Sequence, residues 1–136
     1  MNIEHIWFAV QHSSRYHNPI HFGNYESYTL DNSVFTHCGL HTDLECTITL
    51  ESFTASVEPH IDVGPRTQHI AILLSADPVQ FYQGKAYTVN TGDIIQIHSK
   101  VLHSATVISG GEAQFLCVQY GGDIPQSVLS QCINCQ

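Results

Sequence analysis

Ten histidines stand against four lysines and arginines in this 136-residue chain. Imidazole both carries protons near neutral pH and ligates metals, so the excess is a stock of reactive groups. Two segments place such groups at informative spacings. The first runs Glu58-Pro59-His60-Ile61-Asp62-Val63-Gly64-Pro65-Arg66-Thr67-Gln68-His69. His60 and Asp62 are two apart, so on a strand both side chains project from one face. Val63-Gly64-Pro65-Arg66 has the composition of a turn and brings the next strand back alongside, with Gln68 or His69 facing the pair. In the second segment, Gly92 to His103, a strand ends and a short loop delivers His103.

The elements that must position these groups read as strands almost throughout. Thr47 to Val57 is rich in β-branched residues and too polar for a buried helix. His69 to Leu74 is a short apolar run that stops at the turn cluster Ser75-Ala76-Asp77-Pro78. Further runs at Val79–Tyr82, Ala86–Val89, Ile94–Ile97, Ala105–Ile108 and Ala113–Tyr120 are separated by glycine-bearing or short polar breaks. Turns recur roughly every 8 to 12 residues, the spacing of a sandwich or barrel. The expectation is one all-β domain. Residues 1–30 are expected to form an amino-terminal arm and first strand, 31–122 the sandwich or barrel, and 123–136 a carboxy-terminal tail.

Composition removes several function classes. Twelve acidic residues against four basic ones leave a formal charge of -8, and Arg15, Arg66, Lys85 and Lys100 do not cluster. Such a chain lacks the means to neutralise a phosphate backbone or dock on an anionic membrane. No apolar stretch nears the roughly 20 residues that span a bilayer. The start, Met1-Asn2-Ile3-Glu4-His5, lacks a basic region and a long apolar run, so the expected compartment is the cytoplasm. There is no Walker-type loop or dinucleotide fingerprint. Of five cysteines, Cys38, Cys46 and Cys117 read as small core residues. Cys132-Ile133-Asn134-Cys135 reads as a frayed tail, with a metal or redox pair as the alternative.

The two histidine segments resemble the motifs of the cupin superfamily, whose members are small double-stranded β-helix or jelly-roll barrels. The second cupin motif is Gly, five residues, Pro-x-Gly, two residues, His, three residues, Asn. Gly92 and His103 match it in register, while His98, Lys100 and Val107 replace the Pro, second Gly and Asn. In the first motif His60 matches the first His and Asp62 the second. Gln68 takes the place of the Glu if the loop is one residue longer, with Thr54 and Ser75 replacing the flanking glycines. Sixteen residues separate Ser75 from Gly92, a spacing typical of compact microbial cupins. The resemblance spans about residues 47–120.

Cupins commonly bind Fe²⁺, Mn²⁺, Zn²⁺, Ni²⁺ or Cu²⁺ through the two motif-one histidines, the Glu and the later His. The resemblance thus implies a divalent metal (Fe²⁺, Mn²⁺, Zn²⁺ or Ni²⁺) on His60, Asp62 and His103, with Gln68 in the Glu position. If the return strand is shifted by one, His69 replaces Gln68, because strand alternation does not let both face inward without a bulge. Ile70, Ile72 and Leu74 share the parity of Gln68 and make the better core face, which favours Gln68 inward.

Two classes of function follow from the resemblance. One is a metal-dependent enzyme in which the cation is a Lewis acid toward an oxygen-rich small molecule, giving isomerase, dehydratase, cyclase or lyase chemistry. His60 and His103 are then catalytic, and Tyr82, or Tyr87 or Tyr120, supplies a phenolic proton donor or a pocket wall. With Fe²⁺ the reaction would be a dioxygenation. The other is a non-catalytic sugar- or acid-binding module, since the segment also resembles the effector-binding barrels of AraC-type regulators. Arg66 could hold a substrate carboxylate at the mouth. His37 and His41 share parity with Asp43 and Glu45, His98 falls at a barrel rim, and His5, His12, His17 and His21 belong to the arm. A homodimer is expected, because such barrels leave edge strands and apolar outer faces that pair.

Overall fold

In the computed structural model, residues 27–29, 35–42, 46–62 and 68–135 are described. Among these residues ten strands and one short helix follow in order: β1 Ser27–Thr29, β2 Phe35–Thr42, β3 Cys46–Thr54, β4 Ser56–His60, β5 Gln68–Leu73, β6 Val79–Gln83, β7 Lys85–Val89, β8 Ile94–His98, β9 His103–Val107, β10 Glu112–Tyr120 and α1 Gln126–Leu129. All strand pairs are antiparallel. They form a six-stranded sheet in the order β1-β2-β3-β10-β5-β8 and a four-stranded sheet in the order β4-β9-β6-β7. The two resemble a cupin sandwich. Neither sheet closes on itself among the described residues, so the barrel expected from the sequence is an open pair of sheets here.

Alternation along the strands builds the space between the sheets. Phe53, Ala71, Leu73, Ile95, Phe115 and Cys117 project from the larger sheet and pack with Val79, Phe81, Val89 and Val107 of the smaller one. The chain crosses from one sheet to the other at Ala55, whose φ of 64° is left-handed. That conformation is strained for a residue with a Cβ. It is held by Ala55 N–H donating to the Gly111 carbonyl at 2.9 Å and by Val107 N–H donating to the Ala55 carbonyl at 2.8 Å. Gly92 provides the left-handed turn before β8 with φ 87°. Asp93 closes that turn by accepting from the Asn90 N–H at 2.8 Å, the loop-bonding role its position suggests.

The larger sheet is buried on its other face too. Ile48, Ile70, Ile72, Leu116 and Val118 pack there against Ile124, Val128 and Cys132 from the carboxy-terminal segment. The tail is therefore a third layer, which corrects the frayed end expected from the sequence. Ile133 N–H donates to the Ile94 carbonyl at 2.9 Å. Asn134 clasps Gln96, accepting its N–H at 2.9 Å and donating to its carbonyl at 2.7 Å. These bonds occupy the outer edge of β8, which would otherwise offer unpaired backbone groups. Cys132 is fully buried, and burial with Cys135 close by pushes its thiol up to about 12, unlike the activated thiol of a redox pair.

Candidate metal centre

His60 and His103 stand directly opposite each other across the β4–β9 pair, with ring centroids 4.4 Å apart in an edge-on arrangement. Asp62 follows β4 by two residues, and its N–H donates to the Ser99 carbonyl at 2.9 Å. That bond ties the first histidine segment to the loop that delivers His103. The three side chains consequently converge. Nε2 of His60 lies 3.3 Å, and Nε2 of His103 3.4 Å, from Asp62 Oδ1.

Each of the two rings is oriented by its own chain. His60 Nδ1 donates to the Glu58 carbonyl at 2.7 Å, and His103 Nδ1 donates to the Val101 carbonyl at 2.8 Å. A carbonyl can only accept, so Nδ1 carries the proton and a neutral ring presents its Nε2 lone pair to the carboxylate. Three lone-pair atoms facing one another repel unless a proton or cation stands between them. His60 shows the proton alternative: the Asp62 carboxylate raises its pKa, with partial burial opposing. Burial alone would raise the Asp62 carboxyl. The imidazoles of His103, His60 and His69 outweigh that and hold it well below the ordinary carboxylate range.

The donor set also fits a cation. Ligand atoms each about 2.0–2.2 Å from one ion in tetrahedral array lie about 3.3–3.6 Å apart, and the two distances from imidazole nitrogen to Asp62 Oδ1, 3.3 and 3.4 Å, fall in that range. Among the described residues, His60, Asp62 and His103 form one of two clusters with metal-ligating groups in mutual reach; Glu51, His69 and Cys117 form the other. Asp62 Oδ2 and both ring nitrogens of His69 are buried without a hydrogen-bond partner. An unpartnered buried polar group costs about 1–3 kcal/mol, and coordination would remove that cost. The residues present therefore suit a divalent metal, whose identity the donors leave open.

The clusters lie in a cavity of about 480 Å³ between the sheets. Phe53, Phe81, Phe115, Ile95 and Ile97 give it apolar walls, and Glu51, His69, Cys117 and Gln119 add polar groups. His69 is 3 % exposed, while the His60 side chain, at 41 %, meets solvent. Glu51 and Cys117 are joined by a thiol–carboxylate hydrogen bond of 3.1 Å. Burial, with Glu51 adding its negative charge, keeps the Cys117 thiol pKa well above its usual value.

Not every residue singled out in the sequence reaches this cavity. Gln68, favoured as the inward residue, is on the opposite face of β5 and is not among the lining residues, whereas His69 is. The apolar faces misled: Ile70 and Ile72 are buried under the tail, so their parity marks the outer core rather than the cavity. Tyr82 is 48 % exposed and Phe81 takes the inward position, so the phenolic donor expected at Tyr82 is corrected to a surface residue. Tyr87 packs on Phe81, with centroids 6.5 Å apart, and Tyr120 packs on the tail side. His98 is exposed at the end of β8. Arg66, Asp43, Glu45 and the four arm histidines lie outside the described residues, as do the side chains of His37, His41, Cys38 and Cys46. Sequence reasoning missed Glu51, whose only signal was sharing the parity of Phe53.

Structural comparison resolves the architecture. The RmlC-like cupin from Shewanella frigidimarina matches with a TM-score of 0.60 over 76 % of this chain and 93 % of its own, at 14 % identity. The chain has the cupin fold. The polyketide cyclase RemF from Streptomyces resistomycificus shares this cupin architecture, with a TM-score of 0.58, 17 % identity, and 79 % and 82 % of the two chains covered. AerE from Microcystis aeruginosa aligns with a TM-score of 0.61 at 13 % identity over 74 % of this chain. This chain spans only 48 % of AerE's length. No protein-family model and no curated protein matches the sequence. Among the described residues no helix is long and apolar enough to cross a membrane.

Proposed function

We propose that this chain is a metal-dependent cupin enzyme that acts on an oxygen-rich small molecule by isomerase, dehydratase, cyclase or lyase chemistry. The observation that carries the reading is the convergence of His60 Nε2 and His103 Nε2 on one oxygen of Asp62 inside an apolar cavity. His60, Asp62 and His103 would hold the ion, and His69 rather than Gln68 is the β5 residue that faces them across the cavity. A bound divalent cation supplies Lewis-acid polarisation of substrate oxygens. The protein's own part is orientation and exclusion of water. The Glu58 and Val101 carbonyls fix the two rings, and the phenylalanine walls enclose a carbon skeleton. A cavity of about 480 Å³ suits a small organic ligand. Similarity to the polyketide cyclase RemF keeps cyclisation among the reaction types by fold-level analogy. If the ion is Fe²⁺, the same donor set suits a dioxygenase.

A non-catalytic small-molecule binding cupin is the second reading. The outward placement of Tyr82 favours it, because it removes a proton donor the enzyme reading could use. Exchange of α-protons for deuterium separates the two. A panel of hydroxy and keto acids is incubated with the metal-loaded protein in D₂O. Exchange that disappears in His103→Ala supports the enzyme; saturable binding without exchange of any panel member supports the binding module.

A further inference from the structure

The cavity wall facing His60 and His103 carries its own reactive set. Glu51 on β3, Cys117 on β10 and His69 on β5 belong to three adjacent strands of the larger sheet. In register, Cys117 pairs with Thr49 and Ala71, while Glu51 pairs with Phe115 and His69 with Gln119. Glu51 and His69 are therefore the diagonal neighbours of Cys117 on the same face, within reach of its sulfur. One ligand atom from each lies within 4.8 Å of the others, and Cys117 Sγ is 3.1 Å from Glu51 Oε2. His69 adds an independent sign of a ligand. Its ring is 3 % exposed, lines the cavity, and has no hydrogen-bond partner at either nitrogen. A neutral imidazole always holds one N–H and one lone pair, so this ring is left with both functions unused.

We propose that Glu51, His69 and Cys117 form a second metal site, distinct from the His60–Asp62–His103 centre, that takes a thiophilic cation such as Zn²⁺. Sulfur sets the selectivity. A thiolate favours Zn²⁺ over Mg²⁺, Ca²⁺ or Mn²⁺, whereas the other cluster offers only imidazole and carboxylate. The two walls thus sort metals by softness. Coordination replaces the proton on Cys117 Sγ, which leaves to solvent as the sulfur–metal bond forms. Three protein donors leave a fourth position open toward the cavity.

Co²⁺ titration of the chelator-stripped full chain tests this, because cobalt bound to a thiolate shows a near-ultraviolet charge-transfer band that N and O ligands do not give. The parent is expected to show the band, and excess Zn²⁺ but not excess Mn²⁺ should abolish it. The Cys132→Ser/Cys135→Ser double variant should retain it, and Cys117→Ala should lose it. In His69→Ala the Co²⁺ affinity read from the band should fall about a hundredfold or more. In His103→Ala the band should persist even if the other centre is lost, so the two sites fail or survive separately. No band in the parent, or one that survives Cys117→Ala or vanishes with the Cys132/Cys135 pair, overturns the proposal.

Discussion

His69 and Asp62 meet from opposite walls of the cavity, with Nδ1 3.6 Å from Oδ2, and neither atom has a hydrogen-bond partner. The contact is beyond hydrogen-bond range, so it leaves both groups poorly satisfied rather than paired. Natural cores rarely retain such atoms, and functional sites are where they persist.

His69→Leu replaces an unpartnered buried ring with an apolar side chain of similar bulk. We expect the metal-free protein to be unchanged in stability or stabilised, by up to about 1–3 kcal/mol. Urea unfolding of the chelator-stripped protein measures this. Destabilisation of that size would show that the ring has partners it lacks here.

Acidity acts on the metal-free protein and on metal binding in opposite directions. The His60 pKa is raised from 6.5, so its contribution to stability is full below 6.5 and is lost as pH rises through the folded value. The Asp62 pKa is lowered from 3.8, so its contribution is present above 3.8 and is lost as pH falls through the folded value. The pair thus stabilises the metal-free chain most between 3.8 and 6.5. Metal must displace the His60 proton, so affinity should strengthen about tenfold per pH unit below the raised pKa. Thermal unfolding and metal titration across pH 5 to about 8 check both slopes. Slopes of the same sign would contradict the arrangement.

The tail layer should be energetically substantial. Ile124 is buried against Ile70 and Ile72, and Ile124→Ala should cost about 2–5 kcal/mol. Chemical denaturation measures the loss. A change under about 0.5 kcal/mol, the range of surface substitutions, would return the tail to the frayed segment its composition suggests.

Strand order along the chain and the meeting of His60, Asp62 and His103 were legible because period-two alternation and motif spacing are local signals. The inward face of β5 was not. Both of its faces are buried, one by the opposite sheet and one by the tail, so Ile70 and Ile72 mark a core without saying which. The tail's role depends on Asn134 meeting Gln96, 38 positions away, and no local pattern encodes that meeting. Glu51 reads as the polar half of an exposed strand until the facing sheet closes over it. Tyr82 fails for a related reason, since Phe81 beside it claims the inward position.

Tyr82→Phe should leave metal affinity unchanged and alter stability by less than about 0.5 kcal/mol, as expected for an exposed side chain. Metal titration and thermal unfolding of the variant check this together. A loss of affinity or of ligand turnover would place the phenol back at the cavity.

Metal content of the untagged protein, purified without added metal, bears most directly on the His60–Asp62–His103 centre. We expect the parent to hold at least one divalent ion per chain, and His60→Ala and His103→Ala each to hold one fewer. A parent that carries no metal and takes up none on titration, or variants that keep the parent's content, would contradict it.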